Sequence, residues 1–337
     1  MSNTSNSDQW RLYPSAMAKP TTGTIARRPG SVRRTSHIDM RVERDSLHLN
    51  GAARDLRTLH GPETGASTEV IDSATLAAST SPLRTLEMLR TSPDRPSAQA
   101  LLGLVTGPGF REALGRALPD DVAASTPLAL LLDDLPVAAI ISGYAYLYSD
   151  SMPKNAGGPG VKADICSGWR SDGTMLVSFR ERGAIPIPVG PPATRVEAAD
   201  DSLGWHEIGP LGVGAMRRRR LVDVSPGVTA DELLVQAMFR DTYVDLDGNE
   251  SVLHEYTVTA TVATDDLIVR TCDAIPRVLP WVECPVAAAS AWKLIGHPTT
   301  HIRTLVRTDL RGTSTCTHLN DLLRSLGDVG VLAAAMP

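Results

Sequence analysis

A short pattern of charged and apolar residues occurs twice in this 337-residue chain, and it constrains the fold more than any other feature. VRRTSHIDM at 32–40 resembles MRRRRLVDV at 216–224, and DSLHLNGAARD at 45–55 resembles DELLVQAMFRD at 231–241. Repetition of this kind predicts two copies of one structural unit. The shared residues are Arg33, Arg34, Asp39, Asp45, Leu47, Arg54 and Asp55 in the first occurrence, and Arg217, Arg218, Asp223, Asp231, Leu233, Arg240 and Asp241 in the second.

The repeat divides the chain into four segments. Residues 1–26 are rich in Ser, Thr and Asn, which predicts a disordered tail. Residues 27–150 are predicted to hold a degenerate N-terminal copy, and residues 215–337 the C-terminal copy. Residues 151–214 contain PKNAGGPG and IPIPVGPPA, and such glycine and proline punctuation predicts a loop-rich connector between the copies.

The C-terminal copy shows the pattern of one unit most clearly. DELLVQAMFRDTYVD, VLHEYTVTATV and LIVRTCDAI have the alternation and the β-branched residues of strands, separated by the turn-like segments DLDGNE and TDD. CPVAAASAWKLIG, THIRTLVRTDL and CTHLNDLLRSLG follow as predicted helices. The sequence therefore predicts an α+β fold of two tandem units, each with about three antiparallel strands followed by packed helices.

Composition and charge exclude several functional classes. The net charge of -5 gives no general attraction to nucleic acid or to an anionic membrane, so neither is expected as a partner. For the one dense basic run, RRRR at 217–220, a solvated entrance to a strand is favoured over an anion site. No run of 18 apolar residues and no apolar signal core are found, so a membrane span is not expected. Four cysteines are few for a disulfide scaffold, which predicts a cytoplasmic protein with thiols or a metal site.

Cysteine and histidine residues of the C-terminal copy form a candidate metal site at strand and helix starts. Thiolate and imidazole are suitable ligands for zinc or iron, and four of them can close a tetrahedron. Zinc is favoured over iron for a single ion, and an iron–sulfur cluster is disfavoured. The predicted ligands are His254, Cys284, Cys316 and His318.

The N-terminal copy lacks these ligands. The positions of Cys284, Cys316 and His318 are taken there by Arg95, Thr126 and Leu128. One copy is therefore predicted to keep the chemistry, while the other serves as scaffold.

Candidate catalytic residues lie around the predicted ligands. Glu255 follows His254 and is a possible base, although strand alternation points it to the opposite face of the sheet. Asp241 lies in the neighbouring strand and is a second candidate base. Arg170 of the connector and Arg240 are candidates for holding a carboxylate. For each of these four residues, a structural salt bridge is favoured over the catalytic role.

The motifs MRRRR, HEY, EC and TCTHLNDLL, together with LLDDLPVAAIISGYA and DICSGWR, resemble a bacterial family known only as a domain of unknown function. Its signature includes a Cys-Thr-His-Leu helix start, and the pattern over about 27–337 looks like the family's longer actinobacterial branch. The C-terminal copy is also distantly similar to the U-type iron–sulfur scaffold fold. That second resemblance implies that Cys284 and Cys316 match two metal-binding cysteines of the scaffold, and that His254 falls near its ligand-region Asp.

Three functions fit these features. The leading hypothesis is a metal-dependent enzyme that hydrolyses a small carbonyl- or carboxylate-containing substrate or cleaves a C–C bond in it. The second is a non-catalytic metal or iron–sulfur carrier, whose site would be exposed. The third is structural zinc in a ligand-binding protein, which a closed four-ligand site would favour. A buried site roofed by the connector would favour the enzyme. Protein partners and oligomeric state stay open.

Overall fold

The computed structural model describes residues 12–43, 46–60, 67–148, 162–183 and 185–337. In these residues, long strands form one antiparallel sheet of nine strands. The strand order is β2-β11-β10-β9-β8-β3-β4-β5-β6, and β1 pairs separately with β7 in parallel. The strands are β1 (Leu12–Pro14), β2 (Met17–Ala18), β3 (Ser31–Glu43), β4 (Ser46–Thr58), β5 (Thr68–Thr80), β6 (Leu86–Ser92), β7 (Ile187–Val189), β8 (Met216–Pro226), β9 (Glu232–Val244), β10 (Glu250–Ala263) and β11 (Val269–Leu279).

The two halves of the sheet meet where β3 pairs antiparallel with β8. Each half runs as a meander of four strands, β3–β6 in one and β8–β11 in the other. Arg34 lies opposite Asp55 across β3 and β4, and Arg218 lies opposite Asp241 across β8 and β9. The residues of the sequence repeat therefore occupy matching places on either side of the central strand pair.

The predicted α+β class is confirmed, with a large antiparallel sheet and several helices. Two tandem scaffold-like units of about three strands are not confirmed, since each half contributes four strands to one continuous sheet. Separate units would leave β3 and β8 as long unpaired edges, and their mutual pairing covers both. The positions of the domain boundaries stay a prediction.

Helices cover one face of the sheet. The α-helices are α1 (Phe110–Ala117), α2 (Pro119–Ala123), α3 (Pro127–Ile141), α4 (Gly143–Tyr148), α5 (Thr174–Arg182), α6 (Ile302–Asp309), α7 (Thr317–Arg324) and α8 (Val329–Ala334). The predicted helix after Cys284 is a 3-10 helix, Cys284–Leu294, which ends just before Gly296 at a φ of 84°. Further 3-10 turns are Pro96–Leu101, Ser167–Trp169, Thr299–His301, Gly312–Ser314 and Ser325–Asp328.

Two apolar cores lie between the helices and the sheet. In the N-terminal half, α3 packs on β3, β4 and β5. In the C-terminal half, α7 packs on β9 and β10 beside the Cys284–Leu294 helix. On the opposite face of the sheet, Val196 and Trp205 cover Leu221 and Met238. The segment around residues 185–214 therefore covers part of the second face of the sheet.

The N-terminal segment is ordered from Leu12 onward. β1 pairs with β7, and β2 extends the sheet at β11. The backbone N–H of Thr21 donates to Glu255 Oε1 at 2.8 Å. These contacts correct the prediction of disorder for residues 12–26, because an unpaired edge of β11 offers hydrogen bonds to a short added strand. Residues 1–11 of the predicted tail lie outside the described residues.

One segment, Pro127–Tyr146, is long and apolar enough to cross a membrane, with a mean hydropathy of 1.6. Of its most apolar window, 78% is buried inside the protein, because α3 is the central helix of the N-terminal core. Burial of this kind is typical of a core helix in a soluble protein. The cytoplasmic location stays a prediction.

Candidate functional site

The arginine run at 217–220 lies in β8, where successive side chains point to opposite faces of the sheet. Arg218 and Arg220 point to the helices, and Arg217 points to the segment that covers the other face. All three are buried, so the prediction of a solvated strand entrance is wrong. Each guanidinium instead pairs with carboxylates, which a buried charge requires.

Asp321 of α7 pairs with three arginines, of which Arg218 and Arg220 lie in β8 and Arg111 lies in α1. Its carboxylate accepts hydrogen bonds from Arg111 Nη2 at 2.5 Å, from Arg218 Nη2 at 3.1 Å and from Arg220 Nη2. Burial by itself raises the pKa of Asp321, but Arg220, Arg111 and Arg218 outweigh it and hold the pKa below its ordinary value. α7 is therefore tied to β8 by charge as well as by apolar packing.

Asp241, His254 and His318 come together beside this network. Each offers one possible ligand atom, and the three atoms lie within 4.8 Å of one another. Asp241 lies in β9, His254 lies opposite it in β10 after a β-bulge, and His318 comes from the first turn of α7. His254 Nδ1 is 3.5 Å from Asp241 Oδ2, and the two imidazole rings stack with centroids 4.1 Å apart.

Two imidazole nitrogens of this cluster are buried without a hydrogen-bond partner in the described residues. They are His254 Nδ1 and His318 Nε2. Buried polar atoms are nearly always paired, so two such atoms beside one carboxylate form a plausible set of metal ligands. Burial, together with His254 and Arg218, lowers the pKa of His318 well below its ordinary value, which keeps the imidazole neutral. The neutral ring is the form that binds metals.

Neighbouring side chains orient these three residues. Arg218 Nη1 donates to Asp241 Oδ1 at 2.9 Å and to Oδ2 at 3.1 Å. Cys316 Sγ lies 3.8 Å from His318 Nδ1, which leaves Nε2 of the same ring for the cluster. Contacts of this type commonly fix the tautomer and direction of metal-binding groups.

The predicted cysteine ligands lie next to the cluster. Cys284 and Cys316 are buried with Cys166 around Tyr256, whose hydroxyl donates to the Cys284 carbonyl oxygen at 3.4 Å. Burial raises the pKa of Cys316 to about 12, and burial also raises the pKa of Cys284 and of Cys166. In the described part of the chain, no cysteine sulfur belongs to a group of three candidate ligands within 4.8 Å.

Of the four predicted ligands, the structure thus brings His254 and His318 together. It places Cys316 beside His318, and Cys284 outside the group. It also adds Asp241, which the sequence marked as a candidate base rather than as a ligand.

A cavity of about 420 Å³ reaches His318. Its walls include Tyr144 of α4, Trp281 after β11, and Trp169 of the predicted connector. The ring of Tyr144 lies 5.4 Å from that of His254, measured between centroids. A small molecule in the cavity could therefore contact His318 of the cluster directly.

The other predicted catalytic residues lie away from the cluster. Glu255 Oε2 accepts from Arg240 Nε at 2.6 Å on the opposite face of the sheet, as strand alternation predicts. Arg240 also donates to the carbonyl oxygens of Thr194 and Thr21, so its guanidinium is fully engaged. Arg170 pairs with Asp172 at the surface. These contacts are those of structural salt bridges, the role that the sequence analysis favours for these residues.

Sequence reasoning missed Arg218 and Asp321 as parts of the site. A signal for Arg218 was present, since both copies place an arginine pair about twenty residues before an Arg-Asp pair. Asp321 carries no comparable local signal, because its three arginine partners lie far away in sequence, two of them in β8 and one in α1.

A histidine pair on the opposite face of the sheet makes stability depend on pH. His37 Nδ1 lies 2.7 Å from His206 Nε2, with Arg217 and Arg219 nearby. Burial, then these arginines, lowers the pKa of His37 to about 4; burial, then His37 and Arg54, lowers that of His206 to about 3.

Below pH 6.5 the unfolded chain therefore binds protons at His37 and His206 that the folded chain does not bind. We expect the free energy of unfolding to fall by about 1–2 kcal/mol per histidine from pH 6.5 to pH 5. Urea titrations across this range should show a shallower decline for the double variant His37→Gln, His206→Gln than for the wild type. The exposed His60, changed to Gln, is the control and should leave the slope unchanged.

Comparisons with known proteins agree with the coarse family prediction. Residues 216–332 match the model of a family described as "Protein of unknown function (DUF2889)". This match covers about a third of the chain. The matched segment includes Asp241, His254 and His318, and both predicted cysteine ligands. The similarity to the iron–sulfur scaffold fold is not supported.

No curated protein matches the chain. Among solved structures, one described as "Crystal structure of lipopolysaccharide binding protein" is similar at a TM-score of 0.15 and 10% identity, over 94% of this chain and 78% of that chain. At this TM-score the likeness carries no argument about fold or function.

Proposed function

We propose that the segment matched by the DUF2889 model is a metal-dependent enzyme domain in which Asp241, His254 and His318 hold one zinc or iron ion. The observation that carries the proposal is the pair of buried, unpaired nitrogens, His254 Nδ1 and His318 Nε2, beside the Asp241 carboxylate. Two imidazoles and one carboxylate are a ligand set of catalytic zinc and of non-haem iron(II). Zinc is favoured, as in the sequence-based prediction.

Three protein ligands support catalysis over a structural role. Structural zinc is normally closed by four protein ligands, whereas catalytic zinc keeps a position for water or substrate. His318 lines the cavity, so an open position on the ion has space on that side. The ion would polarise a carbonyl group or activate a water molecule, and hydrolysis or C–C bond cleavage of a small carbonyl or carboxylate compound fits both roles.

Residues from the predicted connector support an enzyme over a metal carrier. Trp169, Met175 and Ile185 belong to the cavity wall, so side chains of that segment border the cavity that reaches His318. A carrier needs a site that a partner protein can approach, and both His254 and Asp241 are buried. The side chains that the connector adds to the cavity wall thus support the enzyme hypothesis.

Metal content distinguishes the ligand set of the structure from that of the sequence. We expect about one zinc or iron per chain in anaerobically purified wild-type protein, measured by elemental analysis. His254→Ala, His318→Ala and Asp241→Asn should each lose most of it, because each removes one of three ligands. Cys284→Ser is the matched control and should keep its metal, since Cys284 lies outside the group.

Two results would contradict the proposal. Wild-type protein without bound metal, and without uptake of added zinc or iron(II), would remove the enzyme hypothesis in its present form. Metal lost in Cys284→Ser but retained in Asp241→Asn would restore the cysteine-containing ligand set.

A further inference from the structure

The cavity beside the cluster has strongly aromatic walls. Trp169, Trp281, Tyr144 and Tyr146 line it, together with aliphatic side chains of α3. A cavity of about 150 Å³ is enough to hold benzene. The volume of about 420 Å³ therefore accommodates one aromatic ring with a substituent several atoms long.

Among the described residues, the cavity lining contains no Asp or Glu, and its basic side chains are those of Arg84 and His318. An anionic ligand would therefore meet no like charge from these lining residues, and a cationic ligand would find no counter-ion among them. Electrostatics therefore favour a neutral or anionic molecule.

Arg84 is held at the cavity by a fixed turn while its side chain stays available. Its backbone N–H donates to the Ser81 carbonyl oxygen at 2.8 Å, and its own carbonyl oxygen accepts from Thr106 N at 2.8 Å and Thr106 Oγ1 at 3.0 Å. Its φ is 63°, a left-handed conformation that non-glycine residues seldom adopt. Among the described residues its guanidinium has no ion-pair partner, although most other arginines near the sheet do. Such strained residues cluster at ligand sites.

We propose that the substrate of this site is a small aromatic carboxylic acid, with its ring against Trp169 and Trp281 and its carboxylate on Arg84. This inference rests on the proposed function for the metal, which would act on the part of the molecule near His318. The guanidinium fork matches a carboxylate in shape and charge, and the aromatic walls select a planar ring. Arg84 thus takes the carboxylate-holding role that the sequence had assigned to Arg170 or Arg240.

Three probe compounds separate the two parts of this recognition. Calorimetric titration of metal-loaded wild-type protein with trans-cinnamate, cinnamamide and 3-cyclohexylpropanoate tests charge and aromaticity separately. We expect trans-cinnamate to bind at least about tenfold more tightly than either of the others. Arg84→Asn removes the guanidinium and tolerates a positive φ; it should weaken trans-cinnamate about tenfold and leave cinnamamide unchanged. Arg116→Asn, at an exposed arginine of α1, is the matched control and should change neither.

The same titration on metal-depleted protein keeps the two proposals apart. Binding of trans-cinnamate that still depends on Arg84, in protein that never takes up metal, would uphold the acid-binding cavity and overturn the metal site. Equal affinity for the acid and its amide would overturn the role of Arg84. Equal affinity for the aromatic and the saturated acid, or no binding by protein with its full metal content, would overturn the aromatic-acid assignment and leave the metal site standing.

Discussion

Asp321→Asn should lower the free energy of unfolding by about 3–5 kcal/mol, because it leaves buried arginines without their shared anion. Arg218 and Arg220 are both buried and both donate to Asp321, and Arg111 adds a third bond. Asparagine has nearly the same volume, so the loss reports charge and hydrogen bonding rather than a cavity. Urea unfolding followed by far-UV circular dichroism measures it.

An exposed ion pair provides the control for that variant. Glu112 pairs with Arg307 on the helical surface, and their side chains are 64% and 57% exposed. Glu112→Gln removes the same charge but should cost less than about 1 kcal/mol. Similar losses for Asp321→Asn and Glu112→Gln would show that the buried network does not stabilise α7 on the sheet.

Arg218→Lys should weaken metal binding about 10–100-fold while the chain stays folded. Lysine keeps the charge but cannot reach Asp241 and Asp321 with one planar fork, so Asp241 loses the contact that orients it. The variant should also lose about 1.5–3 kcal/mol of stability, the usual value of hydrogen bonds to charged groups. Competition with a chromophoric chelator measures the affinity, and urea unfolding measures the stability.

The other half of the sheet supplies a matched control for Arg218→Lys. Arg34 pairs with Asp55 and Asp328 as Arg218 pairs with Asp241 and Asp321. Arg34→Lys should cost similar stability and leave metal affinity unchanged. Equal loss of metal affinity in both variants would mean that general destabilisation, not the orientation of Asp241, sets the affinity.

Among the described residues, the cluster of Asp241, His254 and His318 lies in the C-terminal half, and the two halves differ at the corresponding positions. Asp55 lies opposite Asp72 beside a β-bulge in the N-terminal half, where Asp241 lies opposite His254 beside the corresponding bulge. Thr126 caps α3 with a hydrogen bond from Ala129 N, where Cys316 precedes α7. Strand register and the β-bulge thus correspond in the two halves at these positions, and the histidines distinguish the half proposed to bind metal.

Much of the fold could be predicted from local patterns in the sequence. The strands of the C-terminal half and the start of α7 follow from alternation, turn residues and helix signals, which act over a few neighbouring residues. The joining of both halves into one sheet could not be predicted from local patterns, because it depends on pairing between β3 and β8, which lie far apart in the chain. The burial of the arginine run was missed for the same reason, since its carboxylate partners are distant in sequence.

By itself, the sequence determined the α+β class, and it predicted a repeat and marked His254 and His318 as candidate ligands, because these depend on residue type and spacing. Only the tertiary structure decided that Asp241 stands with the two histidines, that Cys284 stands apart and that Glu255 faces the other way. The physical reason is that a ligand group is a matter of distance between side chains. Those distances are fixed by strand register, by a β-bulge before His254 and by the docking of α7, none of which is encoded within a single short segment.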